Sequence, residues 1–396
     1  MKSHKKALLV TTVSGFVPQF EMSNVHILQN MGYEIHYATN YNTPSYGYDN
    51  RRLEGTGIIQ HQIDFIRSPF KIHNIRVYRQ LKQLMMNEHF DLVHCHTPMG
   101  SVIARIAAHA TKTRPVIYTA HGFHFYKGAS YINWFFYYPV EKLLSYFTDQ
   151  LICINQEDFE RAKKNFHAKH VSYIPGVGLD INKEQKKIDI KRKKQELGLP
   201  GDKFILLSSG ELIKRKNHET IIRAIRNYKD NYATVPFHYI ICGQGVLEGY
   251  LKDLVDSLNI SDYISFLGYR NDMMEIYQIA DLFIFPSYQE GLPMALLEAM
   301  AFGLPVICSD IRGCRDLMGK SAENTIDVCD GGILIKPAND IICYSKAINL
   351  ILQDEELLTE MSTKNKIRVQ QFSQMKVKEA MISIYNSMLS HIDHAR

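Results

Sequence analysis

The chain has one tryptophan, no Cys-x-x-Cys pair among its seven cysteines, no Asp-x-Asp and no complete glycine fingerprint for a dinucleotide. Each absence excludes something. Without paired cysteines, the thiols at 95, 153, 242, 308, 314, 329 and 343 read as buried side chains of a reducing cytosol, not as a disulfide framework or zinc ribbon. No run of about eighteen apolar residues appears, so no transmembrane helix is expected. The basic start Lys2-Ser3-His4-Lys5-Lys6 and the apolar stretch 7–10 imitate a secretory leader, but Thr11-Thr12 follows with no clear small-residue cleavage site. The segment reads instead as a first buried strand. No recognisable nucleic-acid motif accompanies the net charge of +5, so nucleic acid is not an expected partner.

What remains is a chain of 396 residues, 45% hydrophobic and 22% charged, too long for one typical core, so two domains are expected. Short Val-, Ile- and aromatic-rich runs alternate with longer helical patterns, the pattern of parallel sheets covered by helices. In the first half the runs fall at 7–13, 34–39, 57–65, 91–96, 115–119, 150–155 and 171–175. In the second half they fall at 204–208, 237–242, 264–267, 282–286, 305–309 and 332–336. The polar stretch 181–199, with Lys183-Glu184-Gln185-Lys186-Lys187 and Lys191-Arg192-Lys193-Lys194, reads as a connection running into a short helix. The expected fold class is α/β: two doubly wound Rossmann-like domains, 1–180 and 200–373, facing across a cleft, with ligands at the carboxyl ends of the strands. The last stretch carries Val377, Met381, Ile384, Tyr385 and Met388 at helical spacing.

Chemistry-bearing residues are sought in the loops after strands. The fullest pattern lies after 282–286, in Gln289-Glu290-Gly291-Leu292-Pro293-Met294-Ala295-Leu296-Leu297-Glu298-Ala299-Met300-Ala301-Phe302-Gly303. Pro293 suits a helix start and Gly303 its end. A helix N-terminus offers N–H groups and partial positive charge to a diphosphate, and two acids beside it suit sugar hydroxyls. The ligand inferred from these residues is a nucleotide sugar. Gly210-Glu211-Leu212-Ile213-Lys214-Arg215-Lys216-Asn217-His218 places three cations beside a glycine, where a departing diphosphate needs positive charge. Gly243-Gln244-Gly245 and Gly268-Tyr269-Arg270 end two further runs, and Ser14-Gly15-Phe16 ends the first. His94-x-His96 and Tyr118-Thr119-Ala120-His121-Gly122-Phe123-His124 end runs of the first half. Neither histidine group has a cysteine or acid at familiar zinc spacing, so a metal is not expected.

These motifs resemble the retaining glycosyltransferases of family 4, with the Glu-x7-Glu signature at Glu290 and Glu298 and the GT-B fold. The resemblance covers almost the whole chain, most closely from 210 to 305. It implies that Glu290 faces the donor sugar, that Glu298 binds the ribose, and that the N–H groups of Gly291 and Leu292 meet the diphosphate. Gly15 faces the same diphosphate, and Gly210 and Gly243 belong to its pocket. Lys216 lies on the diphosphate, with Arg215 or Lys214 supplying a second cation, because Glu211 stands where many members have arginine. Tyr269 and Arg270 contact the base, and His121 stabilises the transition state or positions the acceptor. Ile174-Pro175-Gly176-Val177-Gly178-Leu179-Asp180 resembles the turn that closes the first domain, and the final helix, 374–396, is expected to return to that domain.

The implied activity is a metal-independent, cofactor-free hexosyl transfer from a nucleotide sugar, UDP-linked by expectation, to a hydroxyl of a polyprenyl-diphosphate-linked saccharide in capsule, exopolysaccharide or O-antigen assembly. The expected location is cytoplasmic, peripheral to the inner face of the membrane. His73, Arg76, Arg79 and Lys82 recur every third residue, and 131–139 is the most aromatic segment; both suit an anionic bilayer, although a solvated helix face and a core segment are the plainer readings. Two other functions fit the same donor pocket: a GT-B epimerase that releases a 2-epimer without an acceptor, and a nucleotide-sugar binding protein that has lost catalysis. Against the second stand the acids at 290 and 298.

Overall fold

The computed structural model describes residues 5–45, 50–181, 187–232 and 235–393, without the side chains of 391–393. Met1 to His4, the run Lys183 to Lys186 and the last three residues of the expected final helix lie outside the described residues. The chain divides into two units, Met1–Gly178 with Gln374–Arg396, and Leu179–Ser373.

The first unit holds a seven-stranded sheet built from β1 (Lys5–Val13), β2 (Tyr33–Asn40), β3 (Ile59–Gln62), β4 (Leu92–Cys95), β5 (Val116–Ala120), β6 (Gln150–Cys153) and β7 (His170–Tyr173). The order is β3-β2-β1-β4-β5-β6-β7, and the pairings are parallel. Its central strands are buried on both faces, which is why β1 and β5 read as unbroken apolar runs rather than alternating ones. At the edge, β3 is shorter than the run 57–65 because Gln60, His61 and Gln62 carry no apolar face and Gly57 takes a positive φ. Helices cover both faces. One face is packed by Val77, Leu81 and Met85 of His73–Glu88 and by Ile103 and Ala107 of Pro98–Thr111. The opposite face takes Val377, Met381, Tyr385 and Met388 of the last helix, Gln374–Asp393. The glycine at 178 permits this approach, since a Cβ there would stand 2.6 Å from the Gln374 Cα.

The second unit repeats the plan with β8 (Phe204–Ser209), β9 (Phe237–Cys242), β10 (Ile264–Gly268), β11 (Leu282–Phe285), β12 (Val306–Ser309), β13 (Ile326–Cys329) and β14 (Gly332–Ile335), in the order β10-β9-β8-β11-β12-β14-β13. Strand β13 departs from the expected set. It is a four-residue antiparallel edge strand, and its Asp327 binds the turn at Asn324, so it lacks the apolar run that marks the other strands. The helix Ile190–Glu196 belongs to this unit and is not a solvated connector. Lys193 is buried, with its ammonium 2.6 Å from Asp272, 2.7 Å from Glu275 and 3.0 Å from Glu196.

In each sheet the order of the parallel strands reverses once, between β1 and β4 and between β8 and β11; the antiparallel edge strand β13 adds a further inversion beside β14. Crevices at the carboxyl ends of strands open at such switch points, where neighbouring connections leave in opposite directions. These are the places to look for chemistry.

Candidate active site

At the switch point of the second unit, β8 leads into Gly210 and β11 leads to Glu290. Gly210 and Gly243 take φ values of +150° and +148°, and a Cβ on Gly243 would come within 1.9 Å of the Gly210 carbonyl. A side chain is impossible there, so the loops after β8 and β9 lie backbone against backbone. The Gly243 N–H donates to the Gly268 carbonyl at 2.8 Å, tying in the loop after β10. The cation loop then turns through Asn217 at φ +57°, a strained value for a side-chain-bearing residue. Its amide is fixed by the carbonyls of Pro286 and Ala338 at 3.0 and 2.8 Å.

Arg215 and Lys216 are delivered to one place by this turn. Both meet the same oxygen of Glu290, Arg215 Nη1 at 2.6 Å and Lys216 Nζ at 2.8 Å. Lys216 also stands 5.0 Å from the centre of the Phe285 ring. The Gln289 carbonyl accepts from Arg215 at 3.0 Å, and the Glu290 carbonyl accepts from Arg312 Nε at 3.1 Å. Three cations therefore converge on the turn Gln289–Glu290 against one carboxylate. The helix Met294–Ala301 begins immediately beyond, with Pro293 as its N-cap rather than its first residue. Gly291 and Leu292 form the turn, and helix Arg312–Met318 packs so closely that a Cβ on Gly313 would stand 2.4 Å from the Gly291 carbonyl. Glu298, about one turn along this helix, accepts from the Tyr277 hydroxyl at 3.0 Å. Burial raises that phenol well above its ordinary range, which keeps it a donor. His218 and Ser287, close by in sequence, are buried with no hydrogen-bond partner for the imidazole or the hydroxyl among the described residues.

Other expected donor residues lie further from these charges. Lys214 and Glu211 are exposed, and the ion pairs of Glu290 among the described residues are with Arg215 and Lys216. Tyr269 is 64% exposed, and Arg270 is held by Asp272 through contacts of 2.8 and 2.5 Å. Gly15 is in the other unit, where the space for a Cβ is filled by the Ser45 carbonyl at 1.4 Å. Its glycine requirement is met by the chain itself.

At the switch point of the first unit the β1 register shifts between Val10 and Val13, and a single π turn, Val17–Glu21, follows Gly15. This turn carries Glu21 beside His96 and His121, which spacing alone did not reveal. Glu21 Oε1 lies 3.5 Å from His96 Nδ1 and 3.6 Å from His121 Nε2, and those nitrogens are 3.2 Å apart. Phe16 covers His121 edge-on at 4.9 Å. Burial lifts the Glu21 carboxyl to about 8, opposed by an Asn24 hydrogen bond, and pushes His121 down to about 4. The cluster is thus a protonated acid among neutral imidazoles near neutral pH. These donors converge closely enough to ligate a metal ion, the one such group of three among the described residues. His94 is structural: it bonds Tyr385 of the last helix and Thr119, each at 2.8 Å. Next to His96, Thr97 is held at φ +62° by Thr12, whose N–H and hydroxyl reach its oxygen at 2.9 and 2.8 Å. Strain of this kind, over-determined by neighbours, collects at functional sites.

Sequence reasoning missed Glu21, Arg312 and Tyr277. Arg312 follows β12 in the same loop position that singled out the other residues; Glu21 and Tyr277 lie on helical turns and gave no such signal.

The chain is similar to known proteins along most of its length. Residues 189–368 match the family described as glycosyl transferases group 1, and residues 5–155 match glycosyl transferase 4-like. A Bacillus subtilis protein named as a glycosyltransferase, EpsD, is 35% identical over 393 residues, covering 97% of both chains. The Escherichia coli UDP-Gal:alpha-D-GlcNAc-diphosphoundecaprenol alpha-1,3-galactosyltransferase is 30% identical, covering 81% of this chain and 83% of its own. Among solved structures, Anabaena HepE in complex with UDP and glucose superposes with a TM-score of 0.73 at 19% identity, over 97% of this chain and 100% of that one. The chain belongs to the GT-B glycosyltransferases of family 4 type.

Proposed function

We propose that the chain transfers a hexose from a UDP-linked donor to a hydroxyl of a polyprenyl-diphosphate-linked saccharide, with retention at the anomeric carbon, in the assembly of a surface polysaccharide. The observation that carries this reading is the convergence of Arg215 and Lys216 on Glu290 at the start of helix Met294–Ala301. A diphosphate brings more negative charge than one carboxylate and competes for both cations. Glu290 is then released to accept hydrogen bonds from sugar hydroxyls, while Lys216, Arg215 and the helix N-terminus stabilise the departing diphosphate. In this reading protein cations neutralise the leaving group and no metal is needed. Glu298, held by Tyr277, takes the ribose hydroxyls, and the loop at Tyr269 and Arg270 takes the base. His121 orients the acceptor or stabilises the developing charge, with Glu21 and His96 fixing its ring.

The lipid-linked acceptor is supported by the E. coli relative, whose name gives a diphosphoundecaprenol acceptor and a UDP-Gal donor, and by the CapM protein of Staphylococcus aureus, named for capsular polysaccharide biosynthesis. Such an acceptor implies work at a membrane surface. The test is Glu290→Ala: transfer should fall far more than UDP affinity. Unchanged turnover would contradict the role given to Glu290.

A further inference from the structure

Helix Tyr131–Leu144 is apolar on its outward side as well as on the side that meets the core. Its exposed stripe is Tyr131, Ile132, Phe135, Phe136, Val140 and Leu143, with Pro139 between, and Tyr131, Phe135 and Ile132 are 93%, 74% and 68% exposed. The inward side is apolar as well, with Trp134, Tyr137 and Tyr138 packed on the core, and it carries one buried charge, Glu141, in an ion pair with Arg105 at 2.8 Å. Large contiguous apolar patches on soluble proteins mark interaction sites.

A second segment extends the stripe. Phe70 packs edge-on against Phe136 at 5.7 Å, and beyond it Ile72 and Ile75 are exposed, Ile72 at 85%. This segment is strongly basic. Between Asp64 and Glu88, and again between Asp91 and Glu141, the chain has no acidic residue. Arg67, Lys71, Arg79 and Lys127 are exposed in these stretches. Arg76 is exposed as well and reaches back to Asp64 at 3.2 Å. The His73–Arg76–Arg79–Lys82 repeat therefore does not stand alone, because an apolar ridge lies beside it.

From this juxtaposition we infer that the loop 67–75 and the stripe of helix Tyr131–Leu144 form one surface that inserts into an anionic bilayer. Aromatic and aliphatic side chains enter the boundary between headgroups and acyl chains, and the cations meet anionic headgroups. Charge decides the partner: an apolar face alone fits a second copy equally well, but a rim whose exposed cations outnumber the acids that touch it, Asp64 and Glu157, repels its own copy and attracts an acidic surface. The inference deepens the lipid-linked acceptor reading and rests on it for its purpose, not for its geometry.

The experiment is co-flotation with vesicles of phosphatidylcholine, with and without about a third phosphatidylglycerol. Trp134, the chain's one tryptophan, lies on the inward side of the same helix against Phe125 and Tyr138, so its quenching by lipids brominated in the acyl chains reads how closely that helix approaches them. Wild type should float with the anionic vesicles and be quenched. Ile132→Asp/Phe135→Asp should lose both by tenfold or more, and Arg67→Glu/Lys71→Glu should lose mainly the phosphatidylglycerol dependence. All should keep UDP affinity and transfer to a detergent-dispersed acceptor, since these residues lie outside the proposed chemistry. Wild type that neither floats nor quenches overturns the inference, as does a wild-type dimer in solution that Phe135→Asp disperses. Failure of the transferase reading looks different: vesicles bind, but no donor releases nucleotide.

Discussion

The two units share a plan and differ in what they place at its switch point. In the second, Arg215, Lys216 and Glu290 stand partly exposed and pair across 2.6 to 2.8 Å. In the first, Glu21, His96 and His121 are shielded enough that burial removes their charge. A site for a diphosphate must hold charge in readiness, whereas a site for neutral hydroxyls is better served by groups whose hydrogen-bonding direction is fixed. Under the proposed function, one fold would support two kinds of recognition through the loops at its strand ends.

The largest effect that tests this contrast comes from Lys216→Ala. Removing one preorganised cation from a leaving group costs on the order of a hundred- to a thousandfold in kcat. We expect such a loss, measured as initial rates at saturating donor, with Arg215→Ala affected less because its side chain is more exposed. A Lys216→Ala enzyme within about threefold of wild type would remove the charge argument for the second unit.

Glu298→Ala should act more weakly and on binding. A hydrogen bond to a charged group is worth roughly 1.5–3 kcal/mol, or about ten- to a hundredfold in Kd. Calorimetry with UDP should show that weakening with kcat nearly retained, and an unaltered Kd would refute the ribose role.

The smallest effect tests the first unit. Burial raises Glu21 from its ordinary 4.5 to about 8, so the folded chain keeps a proton that the unfolded chain releases. Stability from this group is full below 4.5 and is lost as pH rises toward 8. The histidines have the opposite sign: His121 and His94 are lowered from 6.5 to about 4 and about 3, so their contribution is full above 6.5 and is lost as pH falls. Between 6.5 and 8 the Glu21 slope stands without theirs. Urea unfolding of wild type should weaken across that window, and Glu21→Gln should be flatter. Parallel profiles would show that Glu21 is ionised in the folded chain.

Much of the fold was legible because parallel strands buried on both faces are unbroken apolar runs, as at Phe237–Cys242, where reading and structure share both ends. What escaped was the edge: β13 exposes half of its four residues to solvent or turn contacts and so carries no run. The candidate donor loops were legible for a similar reason, since Gly210 with Lys216 and Glu290 with Glu298 each fall in one short segment after a strand, although only the sheet order puts β8 beside β11. Glu21 was not. It reaches His96 and His121 only because a π turn after Gly15 and two separate strands end at one point, a coincidence of topology with no local spacing. The exposed stripe at 131–143 was visible as aromatic content, but only the structure shows which face looks outward.

The central claim is acceptor-dependent transfer from a nucleotide sugar. The most direct measurement is nucleotide release from UDP-, GDP- and ADP-sugars, each with and without polyprenyl-diphosphate-linked saccharides. Release from a UDP-sugar that requires the lipid-linked acceptor is the predicted result. Binding of UDP without release from any donor, across the acceptor panel, would contradict it.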